Sequence, residues 1–91
     1  MVEQNFIILN RYGLHVRPCS AMSREAMKYS SDIKLCYKNQ TVNAKVIMSL
    51  LTLAVEKGQQ VTVQCSGNDE KEALEAIGIL INNQFGLKED D

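Results

Sequence analysis

Ile33-Lys34-Leu35-Cys36-Tyr37-Lys38-Asn39-Gln40-Thr41-Val42-Asn43 reads as two strands joined by a tight turn. Ile33, Leu35 and Tyr37 alternate with Lys34 and Cys36, the period of two that a half-buried strand needs. Lys38-Asn39 supplies the two-residue turn, asparagine being among the residues that tolerate a left-handed backbone, and residues 40–43 return as the partner strand. Upstream, Ser30-Ser31-Asp32 separates the hairpin from Cys19, Met22, Ala26 and Tyr29, which recur at three- and four-residue steps and predict a helix over 16–29. Before that helix, the turn Asn10-Arg11-Tyr12-Gly13 follows a first strand over 2–9 with Phe6 and Ile8 on one face.

Downstream, a short apolar helix over 46–53 is ended by Glu56-Lys57-Gly58. A fourth strand over 60–65 then places Val61, Val63 and Cys65 on its buried face. Asp69 and Glu72 have the spacing of a capping box, with Asn68 as a competing cap. The helix they open carries Ala73, Leu74, Ile77, Leu80 and Ile81 on its inner stripe and frays before Gly86, leaving Lys88-Glu89-Asp90-Asp91 as a solvated acidic end. The order βαββαβα predicts an α+β, two-layer fold with helices on one face of a four-stranded sheet. Periodicity alone leaves the strand order open.

Composition bounds the function. A chain of 91 residues with 45% hydrophobic side chains suffices for one core, so residues 1–91 are expected to form a single domain. The longest apolar run, over 46–51, falls far short of the roughly 20 residues of a membrane span. Met1-Val2-Glu3-Gln4-Asn5 lacks the basic start of a secretory signal, and a soluble cytoplasmic protein is expected. Cys19, Cys36 and Cys65 are an odd count without Cys-x-x-Cys spacing, and Cys36 and Cys65 fall on opposite sheet faces, so reduced thiols are expected and neither a disulfide framework nor a metal site. A net charge of −1 disfavours a general nucleic-acid binder.

The chemistry gathers at Gly13-Leu14-His15-Val16-Arg17-Pro18, which sets the only histidine of the chain at the mouth of the first helix. Backbone N–H groups at a helix start carry partial positive charge and receive phosphate readily. Pro18 in the first turn presets the helix, Gly13 permits a sharp turn before it, and Arg17 offers a planar charged fork to phosphoryl oxygens. A neutral imidazole nitrogen is a good nucleophile, and its phosphoramidate keeps a high transfer potential. A lone histidine beside a helix start is nevertheless more often a surface or capping residue, and the whole string is what separates the two readings.

Gly-Leu-His-x-Arg-Pro at this point resembles the active-site loop of the HPr family, the histidine-containing phosphocarriers of the bacterial sugar phosphotransferase system. The order of elements and the spacing from His15 through Asn43-Ala44-Lys45 to Gly58 are also similar to that family. The resemblance implies an open-faced β-sandwich, its antiparallel sheet ordered first, fourth, second, third strand, with three helices on one side. It further implies that enzyme I, charged by phosphoenolpyruvate, phosphorylates His15 on Nδ1, that Arg17 holds the phosphoryl group, and that IIA domains of sugar permeases receive it. A monomeric carrier without cofactor follows, itself a phosphorylated intermediate and not an enzyme. Gly13, Val16 and Pro18 support the loop.

One surface must then serve two partners in turn, so it should be modest, partly apolar and quick to release. Val16, Ser20 and Arg24 lie at four-residue steps off the core stripe of the first helix. The second helix is more apolar than one buried stripe requires, and the resemblance places Ile47, Met48 and Leu51 beside the histidine; a fully buried short helix is the competing reading. Arg11, Arg17, Arg24, Lys28 and Lys45 can ring this patch with positive charge, with a solvated scatter as the alternative for Lys28 and Arg11.

Three positions depart from the family. Many Gram-positive members open the second helix with a regulatory serine, the target of an ATP-dependent kinase; Val46 stands there, which removes that control and leaves Asn43 to share the capping. Nothing in the resemblance makes Ser49 a substitute target. Cys19 replaces the usual alanine, either as a small core residue or as a redox-sensitive thiol, and Tyr12 either shields the imidazole or alters partner choice. Three functions stay open: the general carrier, a specialised regulatory or nitrogen-linked relative, and a non-phosphorylated RNA-binding module, against which the lack of exposed aromatic pairs on the strands counts.

Overall fold

A computed structural model describes residues 1–87; the acidic end expected at 88–91 lies outside the described residues. The elements follow in the order β1 (Val2–Ile7), α1 (Val16–Ala26), β2 (Asp32–Tyr37), β3 (Gln40–Asn43), α2 (Ile47–Thr52), β4 (Gln60–Ser66) and α3 (Glu70–Asn82), with a 3-10 turn at Gln84–Gly86. The four strands form one antiparallel sheet ordered β1-β4-β2-β3.

Alternation builds the two faces. Phe6 and Ile8 of the first strand, Ile33, Leu35 and Tyr37 of β2, and Val61, Val63 and Cys65 of β4 are all buried toward the helices. The register pairs Phe6 with Val61, Leu35 with Val63 and Ile33 with Cys65, so that one inner side chain meets another across each ladder. The opposite face is polar: Thr62 Oγ1 donates to Asn5 Oδ1 (2.6 Å), and Gln64 Nε2 to Glu3 Oε1 (3.0 Å). Cys36 lies half-buried, while Cys65 belongs to the core. Such a sheet needs helices on one side only, which makes the fold an open-faced sandwich.

The helices bury the expected stripes. Cys19, Met22 and Ala26 of α1 and Ala73, Ile77 and Ile81 of α3 are inaccessible, and Leu74 and Leu80 pack partly against the same core. Gly78 lets α3 sit on β1: a Cβ there would lie 2.8 Å from Phe6 Cζ. Only Leu50 of the six residues of α2 is buried, which excludes the fully buried reading of that helix.

Four local expectations are corrected. Helix α1 ends at Ala26, not 29, because Lys28 and Tyr29 N–H bond to Glu25 O and Ala26 O and tighten the exit into a turn. The left-handed residue of the hairpin turn is Lys38 (φ 55°), not Asn39, and its ammonium rests 5.2 Å from the Tyr37 ring centre. Asp69 precedes α3 but makes no capping bond there, since its carboxylate accepts from Ser30 N, Ser31 N and the Ser31 hydroxyl instead; Glu70 Oε1 takes the Gly67 N–H at 3.1 Å. Asn43 Oδ1 binds Lys45 N (2.9 Å) in a turn two residues long, and so leaves α2 without a side-chain cap behind Val46.

Candidate functional site

The loop before α1 is fixed from both sides. Asn10 O accepts the Gly13 N–H (2.9 Å), and Asn10 Nδ2 reaches across the molecule to Gln84 O (3.0 Å). Leu14 N–H donates to Val55 O (2.9 Å), which ties the loop to the chain leaving α2. Gly13 sits at φ +66°, and a Cβ there would lie 2.1 Å from Val55 O. Both the left-handed backbone and the close approach demand glycine.

His15 occupies the position flanking the helix: its φ of −86° and ψ of −168° are extended, and its carbonyl accepts the Cys19 N–H (3.1 Å) as the first intrahelical bond. Its side chain caps nothing, so the imidazole remains available for other work. His15 is half-buried, and its Nε2 is buried without a hydrogen-bond partner among the described residues. Arg17 and Val16 are exposed on the first turn beside it, while Pro18 is buried beneath. A charged fork and a positive helix terminus next to an imidazole can receive a phosphoryl group.

Cys19 resolves toward the core. It is fully buried, its Sγ lies 3.5 Å from Leu14 O as a donor, and burial pushes the thiol up to about 11. A thiol held protonated is a poor nucleophile, and the redox-sensitive reading has no support in this environment.

The residues expected to dock partners divide by exposure. On α1, Val16 and Arg24 are exposed and Ser20 is half-buried. On α2, Met48 is 71% exposed and Ile47 lies open, while Leu51 is half-buried against the core. Ser23 Oγ to Lys45 O (2.7 Å) joins the two helices. Of the five cations, Lys28 pairs with Glu25 (3.1 Å) and Lys45 Nζ donates to Tyr29 O (2.8 Å), so both serve local structure.

Two contributors to the site escaped the sequence reading. Asn10 and Val55 hold the loop through backbone bonds and the Asn10 side-chain amide; the Asn-x-x-Gly turn was visible, but its anchors at Val55 and Gln84 lie far along the chain. Tyr12, for which the sequence offered either shielding of the imidazole or partner choice, packs its ring against His15, with centroids 6.0 Å apart and planes at 83°.

Comparison with known proteins agrees with this geometry. The model of the family described as PTS HPr component phosphorylation site matches residues 2–83. Phosphocarrier protein HPr of Mycoplasma capricolum subsp. capricolum is 38% identical over 77 residues, 85% of this chain and 86% of that one. The crystal structure of HPr-C-His from Thermoanaerobacter tengcongensis superposes with a TM-score of 0.92 at 40% identity, covering 97% of this chain and 99% of that chain. A crystal structure of an HPr dimer from the same organism gives a TM-score of 0.77 at 40% identity, covering 96% and 100%. Sheet order and helix placement are those of the HPr-type open-faced β-sandwich. The chain belongs to the PTS HPr family, the phosphocarriers of the phosphotransferase system.

Proposed function

We propose that this chain accepts a phosphoryl group on Nδ1 of His15 from enzyme I, charged by phosphoenolpyruvate, and passes it to IIA domains of sugar permeases. The observation that carries this reading is the Gly13-Leu14-His15-Val16-Arg17-Pro18 loop at the mouth of α1 in a chain of the HPr family. The Nδ1 lone pair forms the N–P bond as phosphorus loses its bond to the donor's leaving atom, and the ring proton stays on Nε2. Burial of Nε2 supports attack by the other nitrogen. Arg17 presents its guanidinium to the phosphoryl oxygens, and donation to the next acceptor reverses the bond exchange.

Val16, Ser20 and Arg24 of α1, with Ile47, Met48 and Leu51 of α2, form the docking surface that both partners use in turn. Its exposed apolar members support this role. The carrier acts as a cytoplasmic, single-domain monomer, itself a phosphorylated intermediate. Val46, open to solvent and without a hydroxyl, leaves no serine-kinase control at that position.

Incubation with phosphoenolpyruvate and a purified enzyme I, followed by intact mass and an acid-lability test, checks the reading. One acid-labile phosphoryl group is expected, absent in His15→Ala. An unchanged mass, or the same gain in His15→Ala, defeats it. Onward transfer to a panel of IIA proteins separates a general sugar carrier from a specialised regulatory relative.

A further inference from the structure

Three observations meet at the ring of His15. Tyr12 packs against it at 83° with centroids 6.0 Å apart. The Arg11 guanidinium carbon lies 5.3 Å over the centre of the Tyr12 ring. Nε2 of His15 is buried and has no hydrogen-bond partner among the described residues.

An imidazole turns broadly about its outer torsion unless neighbours stop it. In most sites a hydrogen bond from the second ring nitrogen sets the orientation. Among the described residues Nε2 has no such bond, which leaves the orientation to packing, and Tyr12 is an aromatic ring in contact. Tyr12 itself is 56% exposed and takes no part in the core, which leaves the contact with His15 and Arg11 as what its side chain does. Its backbone is held in the turn closed by Gly13 N–H to Asn10 O (2.9 Å), so the ring is carried on a fixed base.

We propose that Tyr12 is a positioning residue for the phosphoryl acceptor: braced by Arg11, its ring holds the His15 imidazole with Nε2 withdrawn and Nδ1 outward. This rests on the reading of His15 as the accepting residue. Tyr12 acts through the ring's face and edge, and its hydroxyl is not required. Without it the imidazole samples unproductive orientations, which lowers the rate at saturating donor more than it weakens donor binding.

The test compares the parent protein with Tyr12→Phe and Tyr12→Ala, using phosphorylation by enzyme I at varied carrier concentration and the NMR shifts of the two His15 ring protons. Tyr12→Phe should stay within about two-fold of the parent, and Tyr12→Ala should lose about ten-fold or more in the saturated rate. In Tyr12→Ala alone, the His15 ring protons should move to the positions of a histidine without an aromatic neighbour. An unchanged rate in Tyr12→Ala, equal losses in Tyr12→Phe and Tyr12→Ala, or a lost rate with unmoved ring protons each overturns the proposal. A parent that takes up no phosphoryl group overturns the carrier reading itself, whereas a phosphorylated parent with an indifferent Tyr12→Ala overturns this inference alone.

Discussion

Gly13 and Arg17 serve the same loop by opposite means. Gly13 is needed for what it lacks, because any Cβ would collide with Val55 O 2.1 Å away on a backbone at φ +66°. In the proposed function Arg17 serves by what it carries, a charge on the exposed first turn of α1. Arg17→Ala should therefore slow phosphoryl transfer by about 10²–10³ while changing folding stability by less than about 1 kcal/mol. Transfer kinetics and thermal unfolding of the same variant check this, and parallel losses in both would remove the assigned role. The string of residue types was enough to mark this loop in the sequence. The contact of Gly13 with Val55 was not, because nothing local to either residue says that the two stretches of backbone cross.

Helix α2 shows how six residues serve two environments. Leu50 is fully buried, whereas Met48 two residues earlier is 71% exposed. Leu50→Ala should cost about 2–5 kcal/mol in unfolding free energy. Met48→Ala should leave stability nearly unchanged and raise the KM for enzyme I or a IIA domain; denaturant melts and transfer kinetics on both variants separate these outcomes. At the start of α3 the sequence suggested a capping box, and the structure uses Asp69 to bind the chain after α1. The Ser31 hydroxyl, then the Ser30 N–H, hold the Asp69 carboxyl at about 2, below its ordinary 3.8. A folded value below the unfolded one means that this stabilisation is complete above about pH 4 and disappears as the pH falls toward about 2. Asp69→Asn should lower the urea midpoint at pH 7 and flatten its decline between about pH 4 and pH 2. A capping box is a local pattern; partners 38 and 39 residues away are invisible to it.

On the scale of the molecule, charge is placed more tellingly than its net value of −1 reveals. Arg11, Arg17 and Arg24 are all exposed on the loop and α1, and Lys28 and Lys45 contact Glu25 and Tyr29 O. An acidic partner should therefore be steered by the arginines, and its association rate should fall several-fold as the Debye length shrinks from about 10 Å toward about 3 Å at high salt. Stopped-flow association across ionic strength reads this directly, and a flat profile would rule out steering. Alternation within strands and the stripes of α1 and α3 gave the element order and the buried faces, since side-chain direction follows locally from backbone period. The turn at Lys38 was also visible, although its left-handed residue was misplaced by one. The run from Gly13 to Pro18 was chemically legible because a histidine, a guanidinium and a helix start stand within six residues of one another. The order β1-β4-β2-β3 was reached from the sequence only through the family resemblance, and Tyr12 beside the imidazole only as one of two readings, while the hold of Val55 on Leu14 and the Asp69 clasp came only from the folded chain. Each depends on long-range packing or on a side-chain choice that the assembled surroundings fix, and no period or propensity along the sequence encodes such a choice.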